Sequence, residues 1–395
     1  MSHEFPYRGL RVLDLGQGVA SPYCAMLLAL YGADVVKVEP PGGDWSRGLG
    51  VRYAGGTQTA MSLTFNRGKR SLALDLKSPE GRAVLRRLAL RADVLIEGFR
   101  PGVAARLGVG YDSLKAENPG LIFLSVSGFG QAGAYADRPC TDSAAQAFSG
   151  MVSVNAGADG VPHRIGALMC DVPTGLYAYH AVATALYARR DTGTGRWIDI
   201  SLMNGGAAIL GHKLAEFALG GGPPATINAP AGTYRTSDGV ISLALINEDQ
   251  YRRLCAVLGR PELATDPRFD SFAARGARED ELVAILAAIL ATGTTADWLG
   301  RLRAADIICD KVNDFADWLA DPHVRASGAA APIEQPGIGR VPMPHTPGAL
   351  PASEAALAPA PAPGQHSREV LAEAGLSDDE ITTLMQARVI PRPNG

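Results

Sequence analysis

A chain of 395 residues with 47% hydrophobic and 19% charged side chains can bury a large core, which excludes wholesale disorder and predicts two or three domains. Its net charge of −3, from 37 basic and 40 acidic side chains, argues against a nucleic-acid coat or a basic membrane surface. Five cysteines with no Cys-x-x-Cys pair, and a start at Met1-Ser2-His3-Glu4 without a basic and then apolar stretch, predict a cytoplasmic protein with reduced thiols.

The first half alternates β-rich and helical runs. Leu10–Leu15 reads as a strand, Pro22–Tyr31 as a helix capped by Ser21 and stopped by Gly32, and Asp34–Glu39 as the next strand. Ser71–Leu76, Asp93–Glu97 and Leu121–Val126 follow as strands, with a helix over Pro79–Leu90 capped by Ser78. This alternation predicts an α/β fold, a Rossmann-like parallel sheet covered on both faces. The mostly apolar run Val172–Ala188, interrupted by Thr174, His180 and Thr184, reads as part of a buried helix Pro173–Arg190 rather than a membrane span. A strand at Trp197–Ser201 and a helix to about Leu219 precede a break at Gly220-Gly221-Gly222-Pro223-Pro224.

A second region then begins. Gly232–Ala244 reads as a hairpin, and Gln250–Leu258, Glu279–Leu290 and Thr295–Ala304 as helices. Residues 328–364 hold nine prolines and five glycines, which predicts an extended linker. Ser367–Gln386 is helical again. The expected organisation is a large domain over 1–222, a small inserted α+β domain over 228–322, the linker, and a C-terminal segment, 365–395, that completes the large domain.

Three motifs invite a chemical reading. Gly16-Gln17-Gly18, between a strand and a helix with Glu39 ending the next strand, has the outline of a dinucleotide fingerprint. Ser21-Pro22 stands where the third glycine belongs, and proline removes a phosphate-binding N–H, so a plain strand–helix turn is the preferred reading. Basic residues in Asn66–Arg70, Lys77, Arg100 and Arg106 suit either a polyanion at a sheet rim or a solvated surface. Asp171, ahead of the long helix, is either an N-cap or a carboxylate nucleophile. His163, His180 and His212 are too widely spaced to suggest a metal site, and neither a Gly-x-Ser-x-Gly elbow nor a Walker A loop occurs.

Taken in order, the motifs resemble the class III (CaiB/BaiF-type) CoA-transferases. The resemblance runs through Leu10–Asp14, Tyr31–Asp44, Asn66–Lys77, Gly98–Gly102, Ser127–Gly130, Asp171–Gly175, Thr192–Leu202, Tyr234–Gly239 and Gly364–His366. It implies an interlocked homodimer with no tightly bound cofactor, using coenzyme A and acyl-CoA as substrates beside a small carboxylic acid. It further implies that Asp171 is the catalytic nucleophile. CoA contacts are implied at Val19, Ala20, Leu74, Asp75, Leu76, Lys77, Gly98, Phe99, Arg100, Arg106 and Asp142. Two positions depart from the family: Pro40 stands where an Arg is common and Pro139 where some members have Lys, with Arg138 as the available substitute for the second. A mobile glycine loop is expected at Gly220–Gly222 or just after, and Arg164, Arg235 and His212 are candidate partners for a second carboxylate. The rivals are an α-methylacyl-CoA racemase, whose His is replaced here by Thr141 beside Asp142, and an isomerase that moves CoA within one dicarboxylic acid.

Overall fold

The computed structural model describes residues 5–155, 160–222, 228–349 and 358–391. Six strands form one parallel sheet: β1 (Arg11–Asp14), β2 (Asp34–Glu39), β3 (Arg70–Ala73), β4 (Val94–Glu97), β5 (Ile122–Ser127) and β6 (Trp197–Ser201), in the order β3-β2-β1-β4-β5-β6. This is the doubly wound α/β arrangement that the alternation predicts. The strand order reverses between β1 and β4, and in such sheets ligands bind in the crevice beyond the carboxyl ends at that reversal.

The strands are short and, apart from the edge strand β6, almost wholly buried because both faces are covered. Val12, Val35, Val94, Ile122 and Leu124 face one side, against the helices Ala20–Leu30 and Asp171–Thr192. Leu13, Val36, Leu72, Leu95 and Phe123 face the other, against the helix Pro79–Ala89. Val370, Leu371, Ile381, Leu384 and Ile390 join that second cluster, so the C-terminal helices Ser367–Glu373 and Asp378–Gln386 complete the core begun at the N-terminus.

Met1–Gly211 and Gly328–Gly395 form one compact unit, and His212–Ser327 the other. The first boundary falls earlier than the glycine break suggests. The helical stretch after β6 is two helices, Leu202–Ile209 and Gly211–Gly220, and the second of them buries no residue. Residues 223–227 of that break, and with them part of the expected glycine loop, lie outside the described residues. The second unit holds an antiparallel sheet of β7 (Gly232–Arg235), β8 (Val240–Ala244) and β9 (Ile308–Lys311) on a core built from Tyr251, Leu254, Leu286 and Trp298.

Two local expectations need correcting. Ser21 is not the cap of the first helix: Val19 occupies that position without a side-chain cap, and Ser21 and Pro22 lie in the first turn. Residues 328–349 are not an extended linker, because β10 (Ala330–Gln335) and β11 (Gly339–Pro344) pair there as an antiparallel hairpin; 350–357 lie outside the described residues. No single described helix is long and apolar enough to cross a membrane.

Candidate active site

The connection from β5 to β6 passes through the long helix Asp171–Thr192, which runs back along the parallel sheet. Its N-terminus therefore lies at the carboxyl end of the strands, the same end as the loops after β1, β3 and β4. Those three loops carry Val19 and Ala20, Leu74 to Lys77, and Gly98 to Arg100. The sheet order places the loops after β1 and β4 on either side of the reversal, with the loop after β3 at the edge of the sheet, two strands from β1. The segments after β1 and β4 also touch: a Cβ on Gly98 would lie 3.0 Å from Ser21 Oγ and 3.5 Å from Gly16 Cα. Val19, Ala20 and Leu74 are buried, whereas Lys77, Gly98, Arg100 and Arg106 are exposed. Asp75 turns inward on its own loop, accepting the Lys77 N–H at 2.9 Å.

Asp171 is the first residue of the long helix, and Cys170 occupies the cap position without a side-chain cap. The N-cap reading of Asp171 is thus set aside. The cap comes from another helix, Asp142–Phe148: Asp142 Oδ2 accepts the backbone N–H of Cys170 at 2.7 Å and of Asp171 at 3.0 Å. Gln146 steadies this carboxylate, donating to Asp142 Oδ1 at 2.5 Å and to the Ala167 carbonyl at 3.0 Å while accepting the Ile165 N–H at 2.9 Å. Among the described residues no donor reaches the Asp171 carboxylate. Burial, and secondarily the negative charge of Asp142, push its pKa up to about 7. A partly desolvated carboxylate without hydrogen bonds is a better nucleophile than a solvated one.

Small residues hold this helix close to its neighbours. A Cβ on Gly175 would lie 2.8 Å from the Ala20 carbonyl oxygen, and one on Gly205 would lie 2.0 Å from Thr174 Oγ1. A Cβ on Gly206 would lie 2.8 Å from Cys170 Sγ. The start of the helix is therefore fixed to within the tolerance of glycine packing.

The dinucleotide outline is occupied by the protein itself. Gly18 N–H donates to both Asp44 carboxylate oxygens at 3.1 and 3.2 Å, and Gly16 N–H to Asp14 at 2.9 Å. Lys37 pairs with Asp44 at 2.8 Å and Lys69 with Asp14 at 2.8 Å, all four side chains fully buried. Glu39 takes a two-pronged Arg47 at 2.8 and 2.9 Å and the Ser71 hydroxyl at 2.6 Å. The amides and acid that would hold a pyrophosphate and a ribose are spent. The basic run Asn66–Arg70 contributes structure too: besides Lys69, Arg70 binds Asp34, Glu369 and Glu373.

Sequence reasoning passed over Glu97, the last residue of β4. It is 3% exposed, accepts the Phe99 N–H at 2.7 Å and is hydrogen-bonded to Ser125. Burial pushes its pKa up to about 7. Ser125 in turn accepts the Trp197 indole N–H at 3.0 Å, and these residues line a cavity of about 300 Å³ with Tyr111, Phe123 and Gln131. The signal in the sequence was an acid at the end of an apolar strand immediately before the Gly98–Arg100 loop. Of the candidates for a second carboxylate, Arg164 among the described residues donates to the neighbouring Ile165 carbonyl, at 3.5 Å, while Arg235 and His212 belong to the second compact unit.

Residues 7–367 match the model of CoA-transferase family III. The chain is 36% identical to the succinyl-CoA–D-citramalate CoA-transferase of Chloroflexus aurantiacus, over 99% of this chain and 100% of that one. It is likewise 36% identical to the succinate–glutarate CoA-transferase of Agrobacterium fabrum, over 93% of this chain and 95% of that one. A CaiB/BaiF family protein from Brucella suis has the same fold, with a TM-score of 0.81 and 34% identity over 94% of this chain and 100% of that one.

Proposed function

The chain belongs to CoA-transferase family III, and from that premise we propose that it moves CoA from an acyl-CoA thioester to a free dicarboxylic acid, with Asp171 as the nucleophile. The observation that carries this reading is the Asp171 carboxylate: half-buried, at a helix N-terminus capped by Asp142, and without a donor among the described residues. The acids named in the similar enzymes, succinate, citramalate and glutarate, are dicarboxylic, which supports that acceptor class.

The chemistry balances without a resident cofactor. An Asp171 oxygen attacks the thioester carbonyl, the C–S bond breaks, and CoA leaves as a thiolate beside an acyl-aspartyl anhydride. The thiolate attacks the Asp171 carbonyl and releases the first acid, leaving an aspartyl-CoA thioester. The acceptor carboxylate attacks that thioester, releases the thiolate and forms a new anhydride. The thiolate then attacks the acceptor's carbonyl and restores Asp171. Thioester energy is kept as long as water is excluded.

In this reading the backbone and side chains of Leu74–Lys77, Gly98–Arg100 and Arg106 hold CoA across the carboxyl end of the sheet, from the edge strand β3 to the reversal. Val19 and Ala20 support them from below. A homodimer belongs to the same reading and is supported by the helix Gly211–Gly220, whose Leu214, Phe217 and Leu219 are 64%, 54% and 89% exposed. Thr141, in place of a histidine, argues against racemisation, which needs a second proton carrier.

One incubation tests the reading. The protein is mixed in D₂O with succinyl-CoA and a pool of ¹³C-labelled free acids, and the thioesters are read by mass spectrometry. ¹³C appearing on CoA without α-deuterium is expected, together with its loss in Asp171→Ala. α-Deuterium without ¹³C transfer would establish a racemase and overturn the proposal.

A further inference from the structure

Arg138 is held in an unusual way. Its guanidinium carbon lies 5.5 Å from the ring centre of Phe129, 5.4 Å from that of Tyr135 and 5.9 Å from that of Phe148. The three rings pack edge to face on one another, with centroids 5.0 to 5.9 Å apart. Aromatic faces attract a guanidinium and fix its plane, yet they satisfy none of its N–H donors in that plane. Among the described residues no carboxylate or carbonyl accepts from the Arg138 side chain, which is exposed. The protein thus invests three aromatic side chains in orienting a cation whose hydrogen bonds remain available.

Its position gives that cation a use. Phe129 lies in the turn after β5, and Phe148 closes the helix whose first residue, Asp142, caps Asp171. Cys140 joins the two segments: a Cβ on Gly128 would lie 2.2 Å from Cys140 Cβ, and the Cys140 thiol feels the charges of Asp171, Arg138 and Asp142 together. Arg138 stands four residues before Asp142, whose carboxylate accepts the Asp171 N–H, and so sits at the same end of the sheet as Asp171.

Resting on the CoA-transfer reading above, we infer that Arg138 is a specificity-determining residue: its guanidinium receives the distal carboxylate of the dicarboxylic acyl group whose other carboxyl reacts at Asp171. A fork of N–H donors in a fixed plane matches a carboxylate two-on-two. A monocarboxylic acid leaves that fork to water and gains nothing from it, so the residue discriminates between acid classes rather than accelerating transfer in general. The competing use is a phosphate of CoA, which would serve every acyl-CoA alike.

The test compares self-exchange, in which ¹³C-labelled acid replaces the acyl group of its own thioester. Succinate with succinyl-CoA is set against butyrate with butyryl-CoA, using full-length wild type, Arg138→Met and Arg138→Lys. In Arg138→Met the succinate KM rises roughly 10- to 100-fold, the loss of one charge-assisted pair, while butyrate exchange and inhibition by free CoA stay unchanged. Arg138→Lys recovers part of the loss. Equal loss for both acids, weaker inhibition by free CoA, no loss for either acid, or a wild type that exchanges butyrate as well as succinate would each overturn the inference. A wild type that exchanges no acid at all would instead overturn the CoA-transfer reading on which it rests.

Discussion

The carboxylate of Asp142 caps the helix that carries Asp171, although the two residues are 29 positions apart, and its charge also opposes ionisation of the residue it caps. One side chain thus does two opposed things. It holds the Asp171 backbone in place, and it helps keep the Asp171 carboxyl well above the ordinary carboxylate range.

Asp142→Asn separates these effects. The amide keeps one acceptor but presents N–H groups where a second acceptor was, so the cap weakens by about 1 kcal/mol. Removing the charge lowers the Asp171 pKa from about 7. If Asp171 reacts as the anion, kcat/KM for acyl-CoA rises with pH through the pKa of Asp171, and the variant's midpoint falls below that of wild type. The check is a kcat/KM profile from pH 5 to 9 for both proteins. An unmoved midpoint would detach either Asp142 from the Asp171 pKa or Asp171 from the profile.

Asp171 itself makes a prediction about stability. Its folded pKa of about 7 lies above the ordinary 3.8, so the folded state binds the proton more tightly than the unfolded chain. This group therefore subtracts stability as pH rises from about 4 to about 7 and subtracts most above that. Asp171→Asn removes the penalty. The variant is inactive and more stable than wild type at pH 8, by on the order of 4 kcal/mol, with the difference gone at pH 4. Melting curves at both pH values decide it, and a variant less stable at pH 8 contradicts the account.

Much of the large unit was legible because its signals are local. Asp34–Glu39 and Trp197–Ser201 are strands over the ranges read from sequence, each an apolar run between turn residues. Ser78 caps the Pro79–Ala89 helix as its position before proline predicts. The hairpin of β10 and β11 was hidden by its prolines, which ordinarily argue against a strand. Pro332 faces Pro342 across a ribbon of only two strands, where neither has to donate to a central ladder. Asp142 as a cap, Glu97 as a perturbed acid and Arg138 in its aromatic cage were illegible for another reason. Each depends on partners that only the packed chain brings together.

Glu97 ties the end of β4 to the loop bearing Phe99 and Arg100, by accepting the Phe99 N–H at 2.7 Å. Glu97→Gln keeps an acceptor and drops the charge, and so leaves the KM for acyl-CoA within about twofold. Glu97→Ala drops the acceptor and leaves the half-buried Phe99 N–H unpaired. If Gly98–Arg100 holds CoA, its KM for acyl-CoA rises roughly tenfold with little change in kcat. Steady-state kinetics on the two variants distinguish a loop-positioning carboxylate from an idle one, for which both would behave alike.

Gly175 lets the Asp171 helix lie against Ala20–Leu30. An alanine there would put its Cβ 2.8 Å from the Ala20 carbonyl oxygen and 3.0 to 3.1 Å from Tyr23. Backbone cannot yield as a flexible side chain does, so the helices part. Gly175→Ala costs about 1–3 kcal/mol, despite the higher helix propensity of alanine. Because the shift begins one turn from Asp171, transfer falls in parallel. Chemical denaturation measures the first effect, and a stabilised variant would show that the two helices are free to slide.

The buried pair of Lys69 and Asp14 gives the last prediction. Lys69 Nζ meets Asp14 at 2.8 Å, the Pro22 carbonyl at 2.8 Å and Asn66 Oδ1 at 2.9 Å. It thereby ties the end of β1 to the first turn of the helix that Val19 caps and Ala20 begins. Even so paired, burial drives its pKa down to about 8. Asp14→Asn strands the ammonium in the core, lowers that pKa further and costs about 3–5 kcal/mol. Lys69→Met combined with Asp14→Asn leaves no unpaired charge and recovers much of the loss in urea denaturation. The double variant nevertheless loses the tether on Pro22, so if Val19 and Ala20 support CoA, its KM for acyl-CoA stays raised when its stability has returned. Recovery of both together would confine this ion pair to the stability of the sheet.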